Sequence, residues 1–203
     1  MGLKFSYTLL APIYDAIVSG PTEKIRRDSL QRLQDQPGKD VLINGIGSGL
    51  DIPHLPAGPN YTGTDITPAM LRRARARADQ HEIDIVLHQA DSMDLPFNDT
   101  SYDIVVMHLI LAVVPDPAKA LQEASRVLRP GGRLFIMDKF IQPGEKALLR
   151  RMINPFIRHL ATRTDVVFEH LHQGCEELLL VHNQPIMMGG WFRSIELQKK
   201  ELH

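Results

Sequence analysis

The sequence predicts an α/β fold: a mostly parallel sheet with helices on both faces and an antiparallel hairpin at one edge. Three observations predict it. Short apolar runs of strand length alternate with helix-patterned segments, as in parallel strands joined by crossover helices. Two of the helices open on the same device, a cap residue followed by proline, at Thr67-Pro68 and Asp116-Pro117. Late in the chain, two strand-like runs lie close together with Gly189-Gly190 between them, the pattern of a hairpin.

The elements follow in order. KDVLING (39–45) reads as a buried first strand and YTGTDI (61–66) as the second. The helix PAMLRRARARADQ follows, opened by Thr67-Pro68. IDIVLHQAD (83–91) is the third strand and YDIVVMHLIL (102–111) the fourth. In PAKALQEASRVL, residues Leu121, Ala124 and Leu128 fall on one helical face. Arg129-Pro130-Gly131-Gly132 is expected to break that helix before the fifth strand, GRLFIMDKF (132–140). ELLLVHNQPI (177–186) and GGWFRSIELQKK (189–200) complete the hairpin.

Composition narrows the function. The chain has 203 residues, enough for one domain with a sizeable core, and we expect a single domain over 1–203. Its net charge is -1, so no global field favours a polyanion, and no basic stripe interleaved with aromatics is present; nucleic acid is not an expected partner. The single cysteine, Cys175, excludes a disulfide framework within the chain and reads as a reducing, cytoplasmic setting. The apolar stretch 7–20 is interrupted by Pro12 and Asp15 and has no basic leader, so it does not read as a signal peptide.

The candidate site begins at VLINGIGSGLD (41–51), where Gly45, Gly47 and Gly49 follow the first strand. Open α/β sheets bind ligands beyond the carboxyl ends of their strands. The spacing departs from the dinucleotide fingerprint and lacks the lysine of a phosphate loop, which argues against ATP or GTP. Asp65 ends the second strand about twenty residues on, where an acid accepts ribose hydroxyls. Thr67 is expected to fill the helix cap and leave Asp65 free. Asp91 and Ser92, in QADSMDLPF (89–97), either bond a purine base or form an Asx-turn.

Together VLINGIGSG, TGTDITPAML, QADSMDLPF, YDIVVMHLIL and EASRVLRPGGRLFIMD, spanning roughly 39 to 140, resemble the class I S-adenosylmethionine-dependent methyltransferases. The likeness is nearest to the ubiquinone/menaquinone-biosynthesis and bacterial phospholipid N-methyltransferase group. The resemblance implies a Rossmann-like seven-stranded methyltransferase sheet and S-adenosylmethionine as donor. It implies Asp65 on the ribose, Asp91 and Ser92 facing the adenine, and Gly45, Gly47 and Gly49 along the methionine end. Ile66, Met70 and Met93, within the same motifs, and His108, at the end of the fourth strand, are expected against the donor.

Asn44 stands where the family usually carries an acid for the donor's ammonium. Asn keeps an acceptor oxygen but no charge, so Asn44→Asp is expected to tighten donor binding. Asp15 or Asp51 is expected to compensate. The proposed catalytic groups are Tyr14, Asp15 and His108. Substrate contacts are expected from Tyr7, Tyr14, Asp138 and Arg150.

On this reading 1–38 is an N-terminal helical cap, 39–140 the donor-binding core, 141–176 an acceptor cover and 177–203 the edge hairpin. The cover carries Arg150, Arg151, Arg158 and Arg163 beside apolar residues, so it suits an amphipathic acceptor or a membrane surface. A phospholipid amine is the leading acceptor, with peripheral contact at the inner membrane surface. A small thiol in a pocket capped by Tyr7, Tyr14 and Trp191, a quinone-ring carbon, and a non-catalytic donor-binding module are the alternatives. A homodimer through the edge hairpin is also expected. His170, His172 and Cys175, in EHLHQGCEE (169–177), match no standard zinc spacing, and no metal is expected.

Overall fold

The computed structural model describes residues 20, 22–141, 166–187 and 190–201. Tyr7, Tyr14, Asp15 and Arg150 lie outside the described residues, as do the basic positions of the cover. One sheet of seven strands organises the chain, in the order β3-β2-β1-β4-β5-β7-β6. The strands are β1 Asp40–Asn44, β2 Asn60–Asp65, β3 Ile85–Gln89, β4 Tyr102–His108, β5 Leu128–Lys139, β6 Leu178–Met187 and β7 Phe192–Lys199. β1 to β5 pair in parallel, while β7 runs antiparallel to both β5 and β6.

The central strands are apolar on both faces because helices cover both. Val41 and Ile43 of β1 face one core with Ile104, Val106 and Phe135. That core is closed by helix α1 (22–30) through Leu30 and by α2 (Pro68–Gln80) through Ala74 and Ala78. Leu42 faces the other core with Val105, Met107, Leu134 and Ile136. There α3 (Pro117–Val127) contributes Leu121 and Ala124, and α4 (Phe168–Gln173) contributes Phe168. Each such valine, leucine, isoleucine, methionine or phenylalanine side chain taken fully out of water stabilises the fold by about 1.5–3 kcal/mol.

The two caps differ. Asp116 accepts from the N–H groups of Ala118 (3.0 Å) and Lys119 (3.1 Å), as its position predicts. Thr67 makes no side-chain cap bond; the Thr67 N–H donates instead to Asp65 Oδ1 at 2.8 Å. Arg129–Gly132 also departs from expectation. α3 ends at Val127 and β5 begins at Leu128, so these residues lie inside the strand as an irregularity. Pairing with β4 steps from Tyr102–Leu128 to Ile104–Arg133. Gly131 has φ +72, and Arg129 is drawn to Asp40 and Asp103 at the strand bases.

At the carboxyl end of β5, the Ile141 N–H donates to Val166 O at 2.9 Å. The chain therefore leaves for 142–165 and returns at one point beside the strand ends. On the far edge, Leu179, Leu180 and Val181 of β6 are exposed, as is Trp191. No described helix is long and apolar enough to cross a membrane.

Candidate functional site

Strand order reverses between β1 and β4, since β2 and β3 extend one way and β5 onward the other. Loops leaving the carboxyl ends there diverge and open a crevice. A cavity of about 300 Å³ occupies it, within the range of small-molecule sites.

The glycine turn forms its floor. Gly45 has φ +78, and a Cβ added there would meet Ile110 Cδ1 at 2.6 Å. The position thus needs glycine twice, for the backbone angle and for the close approach of the neighbouring loop. Gly45, Gly47 and Ser48 line the cavity; Gly49 does not. Gly49 packs instead on Ala74 of α2 and on Ile52. Arg77 of α2 donates to Ser48 O and Ser48 Oγ, tying the turn to that helix.

Asp65 lies across the floor. Its Oδ2 accepts from Gly47 N–H (3.1 Å) and its Oδ1 from Thr67 N–H (2.8 Å). A carboxylate has about four lone-pair sites, so acceptor capacity remains toward the cavity. Burial pushes its pKa above the ordinary carboxylate value, while the two backbone bonds and a bond from the Thr67 hydroxyl oppose the shift. Ile66, Thr67 and Met70 continue this wall. Asp91, Ser92 and Met93 form the next. Asp91 Oδ1 accepts from Met93 N–H at 2.9 Å, so the Asx-turn is real and coexists with exposure to the cavity.

Opposite the acids, a buried polar chain closes one end. His108 Nδ1 lies 2.9 Å from Asp51 Oδ1, and His108 Nε2 lies 3.0 Å from Ser29 Oγ. Arg26 Nη1 donates to the same Asp51 oxygen at 2.7 Å, and Arg26 Nε donates to Thr22 Oγ1 at 3.1 Å. All five side chains are buried. Burial pushes the Asp51 carboxyl up, but His108 and Arg26 outweigh it and hold it well below the usual range. An ionised Asp51 only accepts, so His108 Nδ1 carries the proton of that bond. The order serine, histidine, aspartate is that of a nucleophilic triad, yet Ser29 does not line the cavity. The chain serves to dock α1, and with it to place Arg26 in the cavity wall. Among the described residues, Arg26 is the one lysine or arginine lining the cavity.

The remaining wall is apolar: Leu109, Ile110, Val113, Val114 and Pro115 from the β4–α3 loop. Leu109 has φ +59, a costly angle for a bulky side chain, and is held by its N–H bond to Met137 O at 2.8 Å.

Besides Gly49, other predicted site residues stand apart from the cavity. Asn44 is fully buried, with Oδ1 accepting from the Thr64 hydroxyl at 3.2 Å, and it does not line the cavity. It points from β1 into the core shared with Leu42 rather than along the turn. Asp138 is fully buried and turned toward the β4–α3 loop. Asp51 is committed to Arg26 and His108, so it is not free to reach a ligand as expected. Trp191 is exposed near the sheet edge and does not line this cavity. In the 169–177 segment, His172 Nε2 bonds Leu178 O at 2.7 Å, and Cys175 is buried with its thiol pushed up to about 11 by desolvation. Arg26 and the apolar loop were missed by sequence reasoning. TEKIRRDSL lies within the expected helical cap, and nothing local marks which arginine turns inward; the loop's first apolar residues continue the 102–111 run, although the strand itself ends at His108.

Comparison with known proteins bears on this geometry. Residues 42–136 match a family model described as a methyltransferase domain. The chain is 30% identical over 191 residues to a phosphatidylethanolamine N-methyltransferase of Cereibacter sphaeroides, covering 93% of each chain. It is 30% identical over 169 residues to a demethylmenaquinone methyltransferase of Tropheryma whipplei, covering 80% of this chain and 70% of that one. A solved S-adenosylmethionine-dependent methyltransferase of Thermotoga maritima superposes with a TM-score of 0.70 at 17% identity, over 98% of this chain and 100% of that one. With this sheet order, this switch-point cavity and these relatives, the chain belongs to the class I S-adenosylmethionine-dependent methyltransferases, in the group of the phosphatidylethanolamine and demethylmenaquinone enzymes.

Proposed function

We propose that the switch-point cavity holds S-adenosylmethionine and that the acceptor is the amine of a phospholipid headgroup. The observation that carries the acceptor is the likeness to a phosphatidylethanolamine N-methyltransferase along 93% of both chains. It extends beyond the donor core into the flanking segments, where the acceptor contacts are proposed to lie. The residues present fit the donor. Asp65 keeps acceptor capacity for a ribose hydroxyl, Asp91 and Ser92 offer an acceptor and a hydroxyl for the adenine, and Arg26 suits a carboxylate.

The bound donor supplies an electrophilic methyl carbon on a sulfonium. The chain supplies alignment, which is where much of the acceleration of an in-line displacement arises. Gly45, Gly47 and Met93 admit and confine the donor, and the apolar β4–α3 loop keeps water from the reacting carbon. An attacking amine must be neutral, so its ammonium must lose a proton first. His108 has both ring nitrogens engaged within the fold, so its part is to hold α1 in place. Tyr14 and Asp15 remain the proposed proton acceptors, and Tyr7 and Arg150 proposed acceptor contacts. A substrate embedded in a bilayer would bring the chain to a membrane surface.

The test is transfer from methyl-labelled S-adenosylmethionine to vesicles of phosphatidylethanolamine, beside small thiols and demethylated quinone precursors. Label in the phospholipid headgroup supports the proposal. Label appearing only in a volatile sulfide, or only in a quinone ring, replaces the acceptor while keeping the donor site.

A further inference from the structure

Asp138 has no place in the donor cavity, yet the loop that walls the cavity hangs from it. Its Oδ2 accepts from Ala112 N–H at 3.1 Å, the Leu111 N–H also donates to it, and its Oδ1 takes its neighbour Lys139 N–H at 2.7 Å. One residue earlier on β5, Met137 O takes the Leu109 N–H at 2.8 Å. The end of β5 therefore grips the β4–α3 loop at Leu109, Leu111 and Ala112. Between these grips Leu109 is forced to φ +59, and Ile110 is pressed onto Gly45. A side chain that accepts from successive loop N–H groups fixes the loop's curvature in a way that packing alone does not.

We infer that Asp138 is the positioning residue of the donor site: its carboxylate sets the β4–α3 wall, and so sets donor affinity, without touching the donor. The inference rests on the donor reading of the cavity given above.

The geometry has a consequence in pH. Burial raises the Asp138 pKa to about 6, against the N–H bonds and Lys139, which favour the charge. The charged groups around it are Lys139 beside it on β5 and Arg193 opposite it on β7; Arg193 is bound to Glu169 of α4 and Asn183 of β6. The β4–α3 loop brings Asp116 at its far end, where the carboxylate caps α3 by accepting from the Ala118 and Lys119 N–H groups. Protonation gives one oxygen a hydrogen and withdraws an acceptor from the loop. If only the ionised form holds the wall, affinity scales with the ionised fraction, which falls about tenfold between pH 7.5 and pH 5.

The measurement is calorimetric titration of the full chain with S-adenosylhomocysteine at pH 7.5, 6 and 5. For the wild type we expect Kd to rise about tenfold across that range. For Asp138→Asn we expect a Kd that is flat within twofold and close to the wild-type value at pH 5. A variant that keeps the wild-type slope overturns the inference, since the titrating group is then Asp65 or another residue of the cavity itself. A variant with wild-type affinity at pH 7.5 overturns it too. Where Asp138→Asn does not fold, the wild type alone decides. Its ligand-free urea midpoint should rise from pH 7 to pH 5 while affinity falls, and a parallel fall of both would mean general loosening. Absence of any S-adenosylhomocysteine binding by the wild type at pH 7.5 overturns the donor reading itself, and this assignment with it.

Discussion

Asn44 is fully buried at the carboxyl end of β1, its carboxamide oxygen bonded to the Thr64 hydroxyl and its nitrogen without a partner among the described residues. Among the described residues no lysine or arginine is bonded to it. An aspartate there would place a carboxylate in the core with one hydroxyl to meet it, and an unpaired buried charge is costly. Asn44→Asp is therefore expected to lower stability by about 3 kcal/mol, read as a lower urea midpoint at pH 7.5, with no gain in donor affinity. Tighter donor binding at unchanged stability would return Asn44 to the site. The glycine turn was legible because glycine spacing after an apolar run is a local signal. The direction of Asn44 was not. β1 is buried on both faces, so its sequence lacks the polar–apolar alternation that tells which way a side chain points. Asp65, Asp91 and Ser92, which line the cavity, are placed by strand ends that the sequence marks.

At the scale of elements, α2 and α3 were legible from Thr67-Pro68 and Asp116-Pro117, because proline at a first helical turn is a strong local cue. The role of α1 was not, because it rests on bonds to Asp51 and His108 across 25 and 79 residues of chain. Two functions are mixed in that junction, docking the helix and presenting Arg26, and substitutions separate them. Asp51→Asn leaves Arg26 buried without its counter-ion, so it should destabilise by about 3–5 kcal/mol. Replacing both partners with apolar residues, Arg26→Met with Asp51→Leu, should recover most of that loss, because a well-packed apolar pair often equals a buried ion pair. Donor affinity should stay at least tenfold weaker in the double variant, since the carboxylate anchor is gone. Urea unfolding and S-adenosylhomocysteine titration on both variants check this. Affinity that recovers together with stability would reduce Arg26 to a structural role.

At the scale of the whole molecule, the buried carboxyls pull stability in opposite directions with pH. Asp51 is held well below its ordinary value, so its contribution is present above about pH 4 and is lost as acid protonates it. Asp138 is the reverse. Raised to about 6 from 3.8, it is ionised at pH 7.5 at a cost of about 3 kcal/mol, and that cost is relieved as pH falls from about 6 toward 4. Asp65, raised by burial as well, adds to the same side. Between pH 7.5 and 5 only the second effect operates, so the folded state should bind protons that the unfolded chain does not and should gain stability. Below pH 4 the first takes over, and α1 should come away from the cavity as the Asp51 bonds fail. The expected curve of urea midpoint therefore rises to a maximum near pH 4 and then drops steeply. Other surface groups titrate over the same range, so the difference between wild type and Asp138→Asn is the sharper quantity: the variant should lack most of the rise and keep the drop. A wild-type midpoint that falls steadily from pH 7.5 to 5 would contradict the burial of an ionised Asp138. On the expected curve the fold is most stable in acid while its donor site is best formed near neutrality, because the charge that orders the β4–α3 loop is the charge the core resists.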